Sequence, residues 1–525
     1  MRKVTPCLFV LFIISNVSRA QTVAWAQQIS GAHSSCGKKI SLDARSNVIV
    51  AGTALGNYML CGQTYRPGDF VSKFSQSGSC LWNVTVAGAI ADMETDGEGN
   101  VYVCGTFSDT IALGSYVLQS RGYRDVYVAK LDPQGQVEWA RSGGGAGDDE
   151  SVALTVDINH NVYISGLYHD TAYFGALSIQ ADAGYNAFFA RYSATGQATI
   201  VHQANTHAGW NDAWFTIFDV FADNDRVYWV SGHQGETVVG DTTFNCYYTN
   251  VIYAVYDTSA ALKNICQVEY NKGTNITRAF VNLQRRVCWS GSSGSQYGSW
   301  QSIVRHDSLM QVVYELNLCH PNWCTTTAVS AGVNQEGLLY GVCNFYDRDS
   351  YDSNNMDNWV PSQGSNDFFL IRTDASGAYQ GRKHWGGRGN DQVFAMAVAP
   401  NGDCYVTGSF SDTLQLDGAA LTSDDTAKFF VARINADKIT TLVSTVRKGE
   451  ALRIYPNPTS GKLKIVSGIN GQKSVRIFDS QGKVVWQIRS DLAEIEADLS
   501  QQPSGIYFAE VSDDHEREVR KIVLE

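Results

Sequence analysis

The side chains in this chain that could do chemistry are few and lie apart. The segment from 207 onward reads His-Ala-Gly-Trp-Asn-Asp-Ala-Trp, which sets Trp210 and Trp214 beside His207 and Asp212. Two indoles next to polar groups can stack on sugar rings, although the same spacing also suits tryptophans buried in a core. Between 346 and 358, Asp347, Asp349, Asp352 and Asp357 could offer oxygens to a calcium ion. The EF-hand register fails there, because Tyr351 falls at its fifth position and no glycine follows, so a solvated acidic loop fits better. No other cofactor is evident. Cys319 and Cys324 bracket His320-Pro321-Asn322-Trp323 and could staple a tight turn as a disulfide. Zinc fits less well, since no CxxC pair exists to complete a tetrahedron.

Two glycine-rich runs, GGGAGDD (143–149) and GGRGND (386–391), align Asp149 with Asp391. Turn formation accounts for them better than phosphate binding, because glycine permits positive φ and aspartate bonds its own backbone in turns. The chain contains no HExxH, no GxSxG elbow, no Walker loop and no GxGxxG after a strand. A carboxylate pair for glycoside hydrolysis depends on distances that a sequence does not give. A non-catalytic protein is the preferred reading.

These residues need a scaffold, and length bounds it: 525 residues exceed one ordinary core. Composition is that of a turn-rich globular protein, with 44% hydrophobic residues, 48 glycines and 9 prolines. The 40 basic and 52 acidic residues give a net charge of −12, which argues against nucleic acid as a partner. Residues 1–20 have the form of a cleavable signal peptide: Arg2 and Lys3, an apolar run from Cys7 to Ile14, and Ser18-Arg19-Ala20 before the cut. Loss of those three basic residues takes the mature charge to −15. No later apolar run is long enough for a transmembrane helix. Of 12 cysteines, Cys7 leaves with the signal, and the odd remainder implies at least one free or intermolecular thiol.

An internal repeat organises the rest. SLDARSNVIVAGTA (41–54), ETDGEGNVYVCGTF (94–107), TVDINHNVYISGLY (155–168) and AVAPNGDCYVTGSF (397–410) are versions of one phrase: strand, Asp turn, strand, Gly. Each is followed by an apolar strand ending in a basic residue, at Lys73, Lys130, Arg191 and Arg433. Three degenerate copies lie between, for a total of seven. Their anchors are Gly52, Gly105, Gly166, Gly232, Gly291, Cys343 and Gly408, spaced by 53, 61, 66, 59, 52 and 65 residues, which suits units of four short strands. Period-2 alternation and β-branched enrichment indicate an all-β protein. Four-stranded units must stack, and the predicted arrangement is a seven-bladed β-propeller over 21–437. The strand around Trp25 resembles segments around Trp82, Trp139 and Trp385, so it is expected to complete the sheet of the last copy and close the ring.

The pattern Trp-Ala…Gly-Gly…Asp…Val-Asp…Asn-Val-Tyr-Val…Gly…Phe-Val-Ala-Lys resembles the bacterial β-propeller repeat family called SBBP. The resemblance is strongest in copies two, three and seven. The Val-Asp element is missing after the third copy.

After a polar linker (438–453), residues 454–525 hold about seven short alternating segments separated by turns, which imply a small Ig-like β-sandwich. Tyr455-Pro456-Asn457-Pro458 with Gly461, then Asp479…Gly482-Lys483, Pro503-Ser504-Gly505-Ile506-Tyr507, and Lys521-Ile522-Val523-Leu524 resemble the type A sorting domain of the type IX secretion system. The resemblance implies recognition by the type IX translocon and delivery outside a Gram-negative cell, secreted or on its surface. Gln502 departs from the family, which usually has an apolar residue there. For the cargo, binding or adhesion to an extracellular glycan or protein is the first expectation. A secreted carbohydrate-active or other hydrolytic enzyme with its site at the propeller channel is the second, and a structural surface component the third.

Overall fold

The computed structural model describes residues 22–439 and 453–525 apart from 182–183, 208–213, 224, 270–273, 282–286, 296–297, 307–311, 318–325, 350–359, 376–377, 418, 425, 437–438, 467–471, 480–482, 493 and 513–516; within described strands, side chains are not described at 184–185, 206–207, 214, 247–249, 268–328, 347–349, 453 and 517–519. The chain forms two compact units, Met1–Thr440 and Thr441–Glu525.

The first unit contains seven four-stranded antiparallel sheets among its described residues. The first runs Ser34–Leu42, Val48–Leu55, Gly68–Phe74 and Cys80–Val86, each strand pairing with the next. Later sheets begin at the strands Ala89–Thr95, Glu150–Val156, Trp214–Asp223, Thr274–Val281, Thr326–Val333 and Gln392–Val398. These seven first strands touch one another in order, and the seventh packs on the first, so the unit is a closed β-propeller. The seventh blade draws only three strands from its own stretch of chain, and Val23–Gln28 supplies the fourth against Lys428–Ile434, with Trp25 opposite Arg433. This is the closure expected from the strand around Trp25.

The recurrent glycine has a steric cause. Each inner strand carries a one-residue bulge at the same place, where Lys38, Ala91, Val152, Phe218, Thr277, Val329 and Phe394 lack a partner in the ladder. The glycine lies across from the residue before the bulge, where the backbone of the inner strand leans over it. A Cβ would fall 1.8 Å from the Ala89 carbonyl at Gly105, 1.8 Å from that of Glu150 at Gly166 and 1.9 Å from that of Gln392 at Gly408. Cys343 holds the position in the sixth blade, opposite Ala328. In the fourth blade Ser231 faces Ile217 there, one residue before the Gly232 that the sequence pattern selects. Gly166→Ala is therefore expected to destabilise by about 3 kcal/mol, the upper end for overpacking. Gly97→Ala, where a Cβ meets nothing within 4 Å, should change stability by less than about 0.5 kcal/mol. Denaturant unfolding of both variants tests the difference.

The other repeated residues join the blades. Trp25, Trp82 and Trp139 pack over the turn glycines Gly78, Gly135 and Gly196 of the following blade, which have φ of +88°, +84° and +77°. Their indole N–H groups donate to the carbonyls of Gln76 (2.8 Å), Pro133 (2.9 Å) and Ala194 (3.0 Å). The aspartates of the repeated phrase close its turns: Asp96 Oδ1 accepts from the amides of Glu98 (3.0 Å) and Asn100 (2.9 Å), and Asp157 Oδ1 from those of Asn159 (2.8 Å) and Asn161 (2.9 Å). The basic residues reach back to these turns, Lys73 to Asp43 at 3.0 Å and Arg433 to Asp403 at 2.6 Å. A disulfide joins Cys61 to Cys80 across 19 residues, a pairing that spacing did not indicate; Cys319 and Cys324 lie outside the described residues.

The second unit is a β-sandwich of seven strands among its described residues. Arg453–Tyr455, Lys462–Val466 and Glu494–Asp498 form one sheet, and Val484–Ser490, Lys473–Phe478, Gly505–Ser512 and Arg517–Leu524 the other. Leu463, Ile465, Ile495, Val475, Ile477, Tyr507, Ala509 and Ile522 meet in its core.

Candidate functional site

A bulge aims two successive side chains to one side of a strand. In this ring that side is the central channel. A cavity of about 250 Å³ there is lined by six inner strands, including Lys38, Lys39, Asp92, Phe218, Asp219 and Phe394. The side chains of the remaining inner strand, Thr274–Val281, are not described. Phe394 is a bulged residue and 40% exposed, an aromatic face open at the cavity wall.

Lys39, Asp92 and Glu94 in the cavity hold adjacent blades together. Asp92 Oδ1 pairs with Lys39 Nζ at 3.0 Å, and its Oδ2 accepts from the Leu154 amide of the next inner strand at 2.9 Å. Glu94 Oε2 accepts from the Val156 amide at 3.3 Å, and Asp219 Oδ1 from that of Val220 at 2.8 Å. Among the described residues no histidine lines the cavity. Asp92 and Glu94 are thus committed to the scaffold, as are Lys38, which pairs with Asp69 at 3.5 Å, and Ser41, bonded to the Thr95 hydroxyl at 2.7 Å, while Phe218 and Phe394 add an aromatic lining beside them.

A second cluster was not singled out from sequence. Asp96, Glu98 and His160 bring ligand-type atoms within 4.8 Å of one another. His160 Nδ1 lies 2.9 Å from Asp96 Oδ2 and its Nε2 3.6 Å from Glu98. Asp96 Oδ2 is also the acceptor for Asn100 Nδ2 (2.8 Å) and the Tyr102 hydroxyl (3.0 Å), and these bonds hold its carboxyl below the ordinary value against the opposing effect of burial. The cluster is an inter-blade clasp. It was hidden in sequence because its two turns are some sixty residues apart.

Of the residues selected as binders, Trp214 begins the inner strand of the fourth blade and Trp210 lies outside the described residues. Asp347 and Asp349 end the second strand of the sixth blade, with side chains not described, and Asp352 and Asp357 lie outside the described residues.

In the sandwich, the selected residues fall into two groups. Asn457 ties the first loop to the last strand: its Nδ2 donates to the Lys521 carbonyl (2.7 Å) and its Oδ1 accepts from the Val523 amide (2.8 Å). Gly461 has φ +135° and would press a Cβ to 2.7 Å from Ser500. Tyr507 is buried and donates to the Pro503 carbonyl at 2.6 Å. Tyr455, Pro456, Pro458, Gly505 and the Lys521 side chain are exposed; Gly482 lies outside the described residues.

The molecule is thus a seven-bladed β-propeller followed by a seven-stranded β-sandwich. Residues 453–525 match the family described as the Secretion system C-terminal sorting domain, so the chain carries a type IX sorting domain and is a protein secreted or attached to the outer cell surface. Among the described residues no helix is long and apolar enough to cross a membrane. An uncharacterized WD repeat-containing protein of Acanthamoeba polyphaga mimivirus is 24% identical over 227 residues; the match spans 34% of this chain and 16% of that protein. Among solved structures, PorZ, an essential surface component of the type-IX secretion system of Porphyromonas gingivalis, is 11% identical over 93% of this chain and 70% of its own, with a TM-score of 0.27. A puromycin hydrolase is 10% identical over 84% of this chain and 59% of its own, with a TM-score of 0.42. None of these three likenesses bears on what this chain does.

Proposed function

We propose that the exported propeller is a non-catalytic binding protein whose channel mouth takes the end of an extracellular glycan. Its repeats are of the SBBP type, and residues 1–20 are the signal peptide that starts its route. The observation that carries the reading is the channel cavity, where the acids spend oxygens on neighbouring strands while Phe218 and Phe394 present aromatic faces beside Lys38 and Ser41. Aromatic faces with a few polar groups are what a sugar ring requires. At about 250 Å³ the cavity lies just below the roughly 300–1,000 Å³ of ligand pockets, which suits a terminal residue and not a threaded chain.

Phe394→Ala is expected to weaken glycan retention at least tenfold, about 1.4 kcal/mol, with unfolding little changed because the ring is partly exposed. A glycan array probed with the secreted wild type and the variant measures this. Equal retention by both would remove the channel from the account, and capture of proteins with no glycan would replace the ligand.

A further inference from the structure

Three blade junctions share one loop geometry and differ in charge. Asp149, Asp391 and Ser35 are equivalent positions, because each donates its amide to the residue before the third strand's buried polar residue: Arg124, Asn366 and Ala427, all at 2.8 Å. The residues that follow those carbonyls are Asp125, Asp367 and Lys428. Two junctions therefore bury a carboxylate pair, Asp125 with Asp149 and Asp367 with Asp391, each side chain at most 2% exposed. The pairs close over equivalent glycines. A Cβ on Gly144 would lie 2.7 Å from both Asp125 Oδ1 and Asp149 Oδ2, and one on Gly386 would lie 2.1 Å from Asp367 Oδ1.

In the third junction the chain supplies a cation. Lys428, 6% exposed, donates from Nζ to the Ala32 carbonyl. In the first blade Gly68 holds the equivalent position; the next residue, Asp69, is met by Lys38 at 3.5 Å, by the Thr53 hydroxyl and by the Ile90 amide at 2.8 Å. The paired aspartates have no Lys or Arg within ion-pair distance among the described residues. Arg121 instead donates to the carbonyls of Gly144 (3.3 Å) and Tyr173 (3.2 Å), and its counterpart in the second pocket is the neutral Gln363. Backbone amides hold one side of the pockets: Arg121 N on Asp125 Oδ2 (3.0 Å), Gln363 N on Asp367 Oδ2 (2.7 Å), Gly145 N and His169 N on Asp149 (2.7 and 3.0 Å). The amides of Gly387 and Ser411 approach Asp391 in the same way without closing a bond of ordinary geometry. What remains without a hydrogen bond of ordinary geometry is the same atom in both copies, Oδ1 of Asp125 and of Asp367, together with both oxygens of Asp391. Burial first, and then the neighbouring carboxylate, pushes Asp149 up to about 6 and Asp391 up to about 8. Two carboxylates buried side by side are costly to ionise together.

We propose that each buried pair holds one hard cation of the calcium class, Asp125 and Asp149 in one pocket and Asp367 and Asp391 in the other. The donors are all oxygens, which select hard divalent ions and exclude the thiolate and imidazole metals. Ala146 and Arg388 lie three residues before Asp149 and Asp391 as Ala32 lies three before Ser35, and in that sister junction the Ala32 carbonyl receives the Lys428 ammonium. The ion replaces the missing chain cation and locks adjacent blades together.

The test uses the full mature protein, stripped with chelator and reloaded with calcium chloride alone, with metal content and the thermal midpoint as readouts. Two ions per chain attributable to these pockets are expected. Asp149→Asn and Asp391→Asn should each remove one, leaving the other in place, and calcium should raise the midpoint of the wild type more than that of either variant. Asp125→Lys with Asp149→Ser copies the lysine junction; it should fold without calcium and bind one ion fewer, which guards against variants that merely misfold. Unchanged calcium content in that double variant, or a wild type whose midpoint ignores calcium, would overturn the proposal. Binding to the acidic run 347–357 would survive all these variants and so cannot be mistaken for it.

Discussion

A chain lacking Thr22–Gln28 is expected to lose its closed ring and most of its stability. The deleted strand pairs with Lys428–Ile434 from Val23 opposite Ile434 to Gln28 opposite Phe430. It also delivers Val23 to the core of the last blade, the Thr22 carbonyl to the Asn435 amide at 2.7 Å, and Trp25 to Gly78 and Gln76 of the first blade. Losing a buried valine, the packing of an indole and its hydrogen bond costs at least about 4 kcal/mol. That is a large share of the roughly 5–15 kcal/mol that holds a domain folded. The exposed third strand would then present unpaired amides to other chains. Hydrogen exchange should show lost protection across Lys428–Ile434, and gel filtration should show oligomers. A synthetic peptide of residues 21–30 should restore both. A monomer with full protection in that strand would mean the ring is closed by other contacts.

Removal of residues 453–525 is expected to abolish appearance of the protein in the medium and on the cell surface while leaving the propeller intact in the periplasm. The sandwich is a separate compact unit with its own core, so its loss removes no core residue of the propeller. Its first loop is bonded to its last strand through Asn457 and Thr459, so truncating the final strand should be nearly as damaging to export as deleting the whole module. Immunoblots of periplasm, envelope and medium decide this, and undiminished export of the truncated chain would place the address elsewhere.

The repeat was readable in the sequence because its signals are local: an aspartate that caps a four-residue turn, a glycine nine residues later in the next strand, a basic residue at the end of the third strand. Even ring closure could be anticipated, since Trp25 repeats the role of Trp82 and Trp139 and had no blade of its own. What sequence pattern missed depends on register or on distant pairing. Ser231, not Gly232, takes the anchor position, because the ladder of the fourth blade pairs Ser231 with Ile217, the residue before the bulge. Cys61 and Cys80 meet through a hairpin, whereas the nearer-spaced Cys319 and Cys324 attracted attention by proximity alone. The channel lining was invisible for the same reason: Lys39 meets Asp92, and Asp92 meets Leu154, only once three inner strands stand side by side. Asp149 and Asp391 were recognised as equivalent but read as turn residues, because their partners Asp125 and Asp367 sit on another strand.

The most direct test of a binding and not a cleaving propeller is to hold the purified secreted protein with an array-selected glycan overnight and weigh the glycan by mass spectrometry. Recovery of intact glycan, bound and releasable, is the predicted result. A shortened glycan or a released sugar would contradict it and return the channel acids Asp92, Glu94 and Asp219 to candidacy as catalysts.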